Sequence, residues 1–321
     1  MDARKRKVTD TRKALEEVIK YFSKGMKTGV FNAELFSENA YFHCSHTGEG
    51  TGGSQMARRL LCPEIKADDQ KQNVENILIH WKNKRAQISF HYHHIYVLYA
   101  ENHSFHFMQY GGTFVLSCAK KETGWEIDRL LFDLCWLDGN SFWAEKWNMI
   151  DFHIPIRYKK VISAEKDGVW DVIPENEEPE TDEEQIKELL FLYGWVIDTE
   201  DYELFEKISI SKVRIHDGYH DREFQGQDEW ISFLKELNAK EPCLHHTYQI
   251  QSIISGEKQA SAVMSRLEPN RIGSKTINED TWFLDWLTLD YIVVFCKIKG
   301  KWKIQEVKFE KNIRGVWKDG N

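Results

Sequence analysis

The sequence predicts an α+β fold built twice in tandem, and three observations carry that expectation. The apolar stripe Leu15, Val18, Ile19, Phe22 and Met26 returns 171 positions later as Ile186, Leu189, Leu190, Tyr193 and Ile197. The copies then run in step, "VFNAELF" against "DYELF", "YFHCSH" against "RIHDGY", "TGGSQMARRLL" against "QGQDEWISFL" and "GWEIDRL" against "KWKIQEV". Each copy opens on helical periodicity and closes on β-rich runs separated by glycine-containing turns. Repetition at this length means two domains of one fold, with expected bounds of 1–153 and 181–321 and an arm and acidic linker at 154–180.

In the first copy the stripe from Leu15 to Met26 predicts the opening helix. The closing strands are "NVENILIH", "RAQISFHYHHIYVLY", "FHFMQYGGTFVLSCA" and "WEIDRLLFDLCWL", with turns at "WKNK", "ENHS" and "KKETG". The "GEGTGG" run lacks the Lys-Ser/Thr ending of a phosphate loop and is expected to be a flexible loop. From Ile154 to Val172 the chain holds enough apolar residues to pack as an arm, whereas Pro174 to Glu184 has the composition of a solvated connector. In the second copy Thr181 and Glu184 form a capping box for a helix reaching about Asp198. A short helix from Tyr202 to Ile208, an extended "KVRIHD", and a third helix carrying Trp230, Phe233, Leu234 and Leu237 follow. From Tyr248 the pattern is strands joined by antiparallel hairpins. About three helices ahead of a curved antiparallel sheet is an α+β layout in each copy.

Composition narrows the function. The chain of 321 residues is 41% hydrophobic with 12 Trp, 12 Tyr and 18 Phe, enough for two packed cores. A formal charge of −8 argues against nucleic-acid or anionic-membrane partners, which need clustered cations. No run approaches the ~18 apolar residues of a membrane span, and the start lacks the apolar region of a signal peptide. A cytoplasmic location is the expectation. Cys44, Cys62, Cys118, Cys135, Cys243 and Cys296 form no CxxC pair, so buried free thiols are expected.

Chemistry-bearing residues gather in the second copy. Asp198 ends its opening helix, and His245 and His246 stand where the third helix gives way to strand. A carboxylate beside an imidazole orients the ring and stabilises its protonated form, which makes a proton acceptor near neutral pH. Tyr193 adds a phenol, although five residues advance a regular helix by about 500°, so Tyr193 and Asp198 diverge by about 140° unless the helix ends early. Each residue also has a structural explanation: Tyr193 as core, Asp198 as a turn, His246 as a satisfied strand histidine. In the first copy His43, His91, His93, His94, His103 and His106 suggest a polar lining or surface. A metal site needs at least three converging ligands, and no metal or other cofactor is expected.

"YGWVIDTEDYELF", "VRIHDG", "FQGQDEWISFL", "HHTYQI" and "KGKWKIQEVKF" resemble the SnoaL-like branch of the nuclear transport factor 2-like superfamily. The resemblance covers most of 181–312 and, more weakly, 9–140. It implies a cone, a strongly bent sheet wrapped around helices with a pocket in its concavity. It places Asp198 at the helix-end aspartate of the dehydratases, His246 at the pocket histidine and Tyr193 at a tyrosine of the bile-acid branch. His216 and Asp217 fall near another polar pocket position. Substrate contacts are expected from His245, His216, Asp217, Trp230 and Tyr291. The first copy has Phe22, Lys27 and Gln72 opposite Tyr193, Asp198 and His246, so the fold does not require the trio.

The resulting expectation is a cofactor-independent lyase or isomerase, a dehydratase or ketosteroid-type enzyme, for a hydrophobic cyclic carbonyl compound such as a steroid or polyketide. The first copy would then be a degenerate partner in an intramolecular pseudo-dimer or a homo-oligomer. The alternatives are a non-catalytic protein that holds a small hydrophobic molecule in the same pocket, and a protein-interaction module marked by an exposed apolar sheet face.

Overall fold

The computed structural model describes residues 10–64, 66–99, 105–139, 147, 160–163, 165–178, 180–240, 247–269 and 283–318. These fall into two compact units, one within 1–98, 107–150 and 158–181, the other within 99–106, 151–157 and 182–321.

The first unit runs α1 (Asp10–Thr28), a 3-10 turn (Ala33–Leu35), β1 (Phe36–Cys44), β2 (Gly48–Thr51), α2 (Ser54–Leu61), β3 (Asp69–Lys82), β4 (Arg85–Tyr99), β5 (Phe105–Lys120), β6 (Trp125–Gly139) and α3 (Val169–Val172). The second runs α4 (Asp182–Thr199), α5 (Tyr202–Ile208), β7 (Ser209–Asp217), β8 (Arg222–Gln225), α6 (Gln227–Lys240), β9 (Thr247–Ser255), β10 (Gln259–Pro269), β11 (Phe283–Ile298) and β12 (Lys301–Lys318). Their six-stranded sheets have the same order, β2-β1-β6-β5-β4-β3 and β8-β7-β12-β11-β10-β9. The chain is α+β, with one architecture used twice.

Two features depart from the expectation. The sheets are mixed, because β1 pairs parallel with β6 and β7 parallel with β12 while the other described pairings are antiparallel. The parallel pairs join the first strand of each unit to its last, a long-range contact that local periodicity cannot reveal. The "GEGT" segment is also no loop, since β2 pairs with Tyr41–Cys44 of β1. Gly48, at φ +88, supplies the tight reversal between them.

Each sheet bends around its leading helix. Helix α1 touches both β3 and β6, and α4 touches both β9 and β12. Those strands lie three places apart, about 14 Å in a flat sheet, so a single helix reaches both only across a curved surface. Bulges supply the bend, at Glu75/Leu78, Gly111/Gly112 and Ser117/Cys118 in the first sheet and at Val263/Met264, Leu287/Leu289 and Val294/Phe295 in the second. At Gly112 a Cβ would sit 2.1 Å from the Asp133 carbonyl oxygen, so only glycine fits that bulge.

Helix α1 keeps the predicted stripe buried and ends at Gly29, whose φ of +67 allows its N–H to reach the Gly25 carbonyl. Helix α4 begins on three acids, which suit the positive end of a helix. Asp182 accepts from Lys297 Nζ at 2.6 Å and from Trp302 Nε1 at 2.9 Å, tying the helix start to the β11–β12 hairpin. The Lys297 ammonium holds the Asp182 carboxyl below the usual carboxylate range.

The described residues among 160–173 of the expected arm pack within the first unit. Asp133 accepts from the N–H groups of Val161 and Ile162, and Arg129 pairs with Asp167 at 2.7 Å. Gln87, whose neighbours Ala86 and Ile88 face the core, donates to the Asp167 carbonyl, and Ile162, Val169 and Ile173 are buried. The acidic connector is also held more firmly than its composition suggests. Asn176 accepts from Trp81 N–H at 2.9 Å, and Glu177 N–H donates to the Trp81 carbonyl. Of the thiols, Cys44 and Cys118 are buried, Cys62, Cys135 and Cys296 are half-buried, and none of the five is in a disulfide; Cys243 lies outside the described residues. Burial pushes the Cys44 and Cys62 thiols up to about 12.

His46 is 2% exposed against Phe132 and Trp147, and burial pulls its imidazole down to about 3. A folded-state value below the unfolded one gives stability that is whole above about pH 6.5 and lost as pH falls toward 3. Acid unfolding of His46→Phe should therefore lack a loss on the order of 3 kcal/mol between pH 6.5 and pH 4. Denaturant titrations at the two pH values measure the difference, and equal losses in the two proteins would contradict the assignment.

Candidate functional site

The concave face of the second sheet is apolar apart from a small group of buried polar side chains. Along β10 the buried positions Ala260, Ala262 and Met264 alternate in strand period, and the next in that series is Arg266, 6% exposed. Its Nη1 donates to the Tyr291 hydroxyl at 3.2 Å. Tyr291, 2% exposed on β11, lies beside Tyr193 of α4 with ring centroids 6.4 Å apart. Phe309 stacks on the other side of Tyr291 at 5.2 Å, and Phe205 stands 6.3 Å from Tyr193. Trp230 of α6 packs behind Phe309 at 6.1 Å and against Phe224 and Phe233.

A guanidinium withdrawn from water is costly unless it is hydrogen-bonded. Donating to Tyr291, it polarises the phenol toward phenolate and makes the phenol O–H a stronger donor. The pair can steady negative charge developing on an oxygen, since such interactions gain strength where water is excluded.

The first unit shows what the fold needs at these positions. Phe114 pairs with Phe132 across β5 and β6, as Tyr291 pairs with Phe309 across β11 and β12, and Phe22 occupies the helix position of Tyr193. Phe22 meets Phe114 at 5.0 Å, and Phe114 stacks on Phe132 at 4.1 Å. One three-ring arrangement thus occurs twice, all phenyl in the first unit and with two phenols in the second. Neither hydroxyl is demanded by packing.

Of the predicted site residues, Tyr193, Tyr291 and Trp230 share this aromatic wall. Asp198 is buried at 8% exposure, but α4 continues unbroken to Thr199, so Asp198 leaves the helix about 140° from Tyr193. The early helix end that would bring them together does not occur. His245 and His246 lie outside the described residues, immediately before β9. His216 stands apart from the wall, half-buried with its ring 3.0 Å from Glu223 and 3.5 Å from Glu306. Asp217 is buried but committed to a turn, accepting from the N–H groups of Tyr219 and His220 and holding His220 Nδ1 at 2.6 Å. In the first unit His91, His93 and His94 each bond a polar side chain, Asn76, Gln109, and Tyr92 with Gln70 respectively. Arg266 is a residue that the family resemblance did not map cleanly, and its signal was a charge standing in the apolar alternation of a strand.

Residues 180–308 match the family model of the SnoaL-like domain. The matched segment runs from α4 into β12 and contains Tyr193, Asp198, Arg266 and Tyr291. No curated protein matches the chain. Among solved structures, an NTF2-like protein of unknown function from Silicibacter pomeroyi is 14% identical, covering 41% of this chain and 100% of its own, with a TM-score of 0.31. A protein of unknown function with a cystatin-like fold from Nostoc punctiforme is 19% identical, covering 41% and 91%, with a TM-score of 0.33. A protein provisionally described as a scytalone dehydratase from Novosphingobium aromaticivorans is 14% identical, covering 42% and 87%, with a TM-score of 0.32. Among the described residues no helix is long and apolar enough to cross a membrane.

Tyr291→Phe should destabilise the chain by about 1–3 kcal/mol, because the Arg266 guanidinium loses a buried acceptor. Adding Arg266→Met should recover part of that loss, since the charge leaves with its partner. Urea unfolding of the two singles and the double gives the coupling. Strict additivity would show that the two side chains do not act together.

Proposed function

We propose that the second unit is a cofactor-independent lyase or isomerase for a small hydrophobic cyclic carbonyl compound, working by proton transfer beside the carbonyl. His246 is the base that removes the proton and, in a dehydration, returns it to the departing hydroxyl. Asp198, which leaves α4 about 140° from Tyr193, orients the imidazole from a face separate from the phenols. Tyr291, polarised by Arg266, and Tyr193 face the enolate oxygen. The SnoaL-like match supports the fold context, and the resemblance supports His246 and Asp198. The single observation that carries the proposal is the Arg266–Tyr291 hydrogen bond beside Tyr193, the two phenols standing where the duplicate holds the phenyl rings of Phe114 and Phe22. The aromatic wall of Tyr291, Phe309 and Trp230 suits a flat apolar substrate. In this scheme the first unit contributes no residue to the chemistry.

Deuterium exchange at the carbon next to the carbonyl, followed by NMR over a panel of cyclic ketones, tests this without knowledge of the natural substrate. The full chain should accelerate exchange of at least one member. His246→Gln should reduce that rate by about 10²–10⁴-fold, and Tyr291→Phe by roughly 10²-fold. Saturable binding of a ketone with no exchange above buffer would favour the non-catalytic binding protein instead. Full exchange by His246→Gln would remove the base from the scheme.

A further inference from the structure

A wide opening belongs to the first unit. A cleft of about 1190 Å³ lies between the end of α1, helix α2 and the start of β3. Lys27, Arg58, Arg59 and Lys66 line it, with Glu64 as the only acid among its lining residues. The ion pairs described in this unit, Arg12–Glu16, Lys20–Glu17, Arg85–Asp128 and Arg129–Asp167, involve none of these four cations. In a chain of formal charge −8, four cations without an ion pair among the described residues make a local field of the opposite sign around one concavity.

Below the cations the lining turns aromatic and polar. Tyr96 and Trp147 supply flat surfaces, with Met26 and Leu60 beside them. Tyr96 stacks on the buried His94 at 4.0 Å, and Gln70, also lining the cleft, lies 3.0 Å from His94 Nε2. His94 Nδ1 is 2.8 Å from the Tyr92 hydroxyl, which donates to Gln72 at 3.0 Å. Burial, then His93 and Lys27, pull the His94 ring down to about 3, so this chain is neutral and the cations above it hold the charge. One ring behind Trp147, His46 is buried with no hydrogen-bond partner at either ring nitrogen among the described residues. Buried polar groups are ordinarily satisfied, and among the described residues the His46 ring is not.

We propose that this cleft is a binding site for a small organic anion with an aromatic body, its acid group held by Lys27, Arg58, Arg59 and Lys66 and its ring resting against Tyr96 and Trp147. The volume suits a small molecule and not a polymer. The site is independent of the chemistry assigned to the second unit, and its test reads binding, not turnover.

The probe is 1-anilinonaphthalene-8-sulfonate, an aromatic ring system carrying one fixed negative charge, titrated by fluorescence into the full chain. N-phenyl-1-naphthylamine, its uncharged counterpart, reports purely apolar binding. The sulfonate should bind more tightly than the neutral amine, and rising salt should weaken it. An R58Q/R59Q double variant should lose roughly three- to tenfold in affinity for the sulfonate and keep its affinity for the amine. Circular dichroism confirms that the variant is folded. If it is not, K27Q/K66Q carries the same comparison at two exposed positions. Equal affinity for the charged and neutral probes, or sulfonate binding unchanged in a folded variant, overturns the proposal.

Discussion

The parallel pairing of first strand with last, Phe42 against Leu130 and Ile215 against Val307, is the contact on which each unit depends. It joins segments about ninety residues apart, so the intervening chain has to be accommodated on the way. The sheet answers by bending at its bulges, and the leading helix fills the concavity. A side chain directed into that space is cut off from water on almost every side. Hydrocarbon is the inexpensive occupant there, and a polar group stays only with a partner.

The two units meet this constraint differently. In the first, Phe22, Phe90, Phe114 and Phe132 form a phenyl cluster of stacked and edge-on contacts, and polar residues form a separate chain from Tyr92 through His94 to Gln70. In the second, the phenyl positions carry Tyr193 and Tyr291, and a guanidinium is buried among them. Duplicated architecture separates what the fold requires from what it tolerates. The ring positions are required, and the hydroxyls are additions. Both units thus keep a polar feature within the same scaffold, of different electrostatic character.

The sequence displayed the helices and long strands plainly, because their periods of about 3.6 and 2 are local properties of the chain. Helix α5 lies where its pattern placed it, and α4 ends one residue past Asp198. The parallel closures were invisible, as pairing between distant strands leaves no local period. β2 was hidden because four residues rich in glycine read as a loop until a partner strand is supplied. Within the site, Tyr193 and Tyr291 could be singled out from the sequence, whereas Arg266 could not be matched to a role before its register and partner were known. His216 and Asp217 show the converse. Their composition suggested a pocket, but alternation along β7 turns His216 toward Glu223 and Glu306, and the following turn absorbs Asp217.

The central claim is that the second unit's phenols face a ligand oxygen while the matching positions of the first serve packing alone. Tyrosine Cζ NMR of the labelled full chain, recorded with and without 2-naphthol as an enolate mimic, addresses it directly. Y193F and Y291F spectra assign the two resonances. The account predicts that the Tyr193 and Tyr291 signals both move on addition of the mimic. Unmoved Tyr193 and Tyr291 signals at saturating mimic would contradict it.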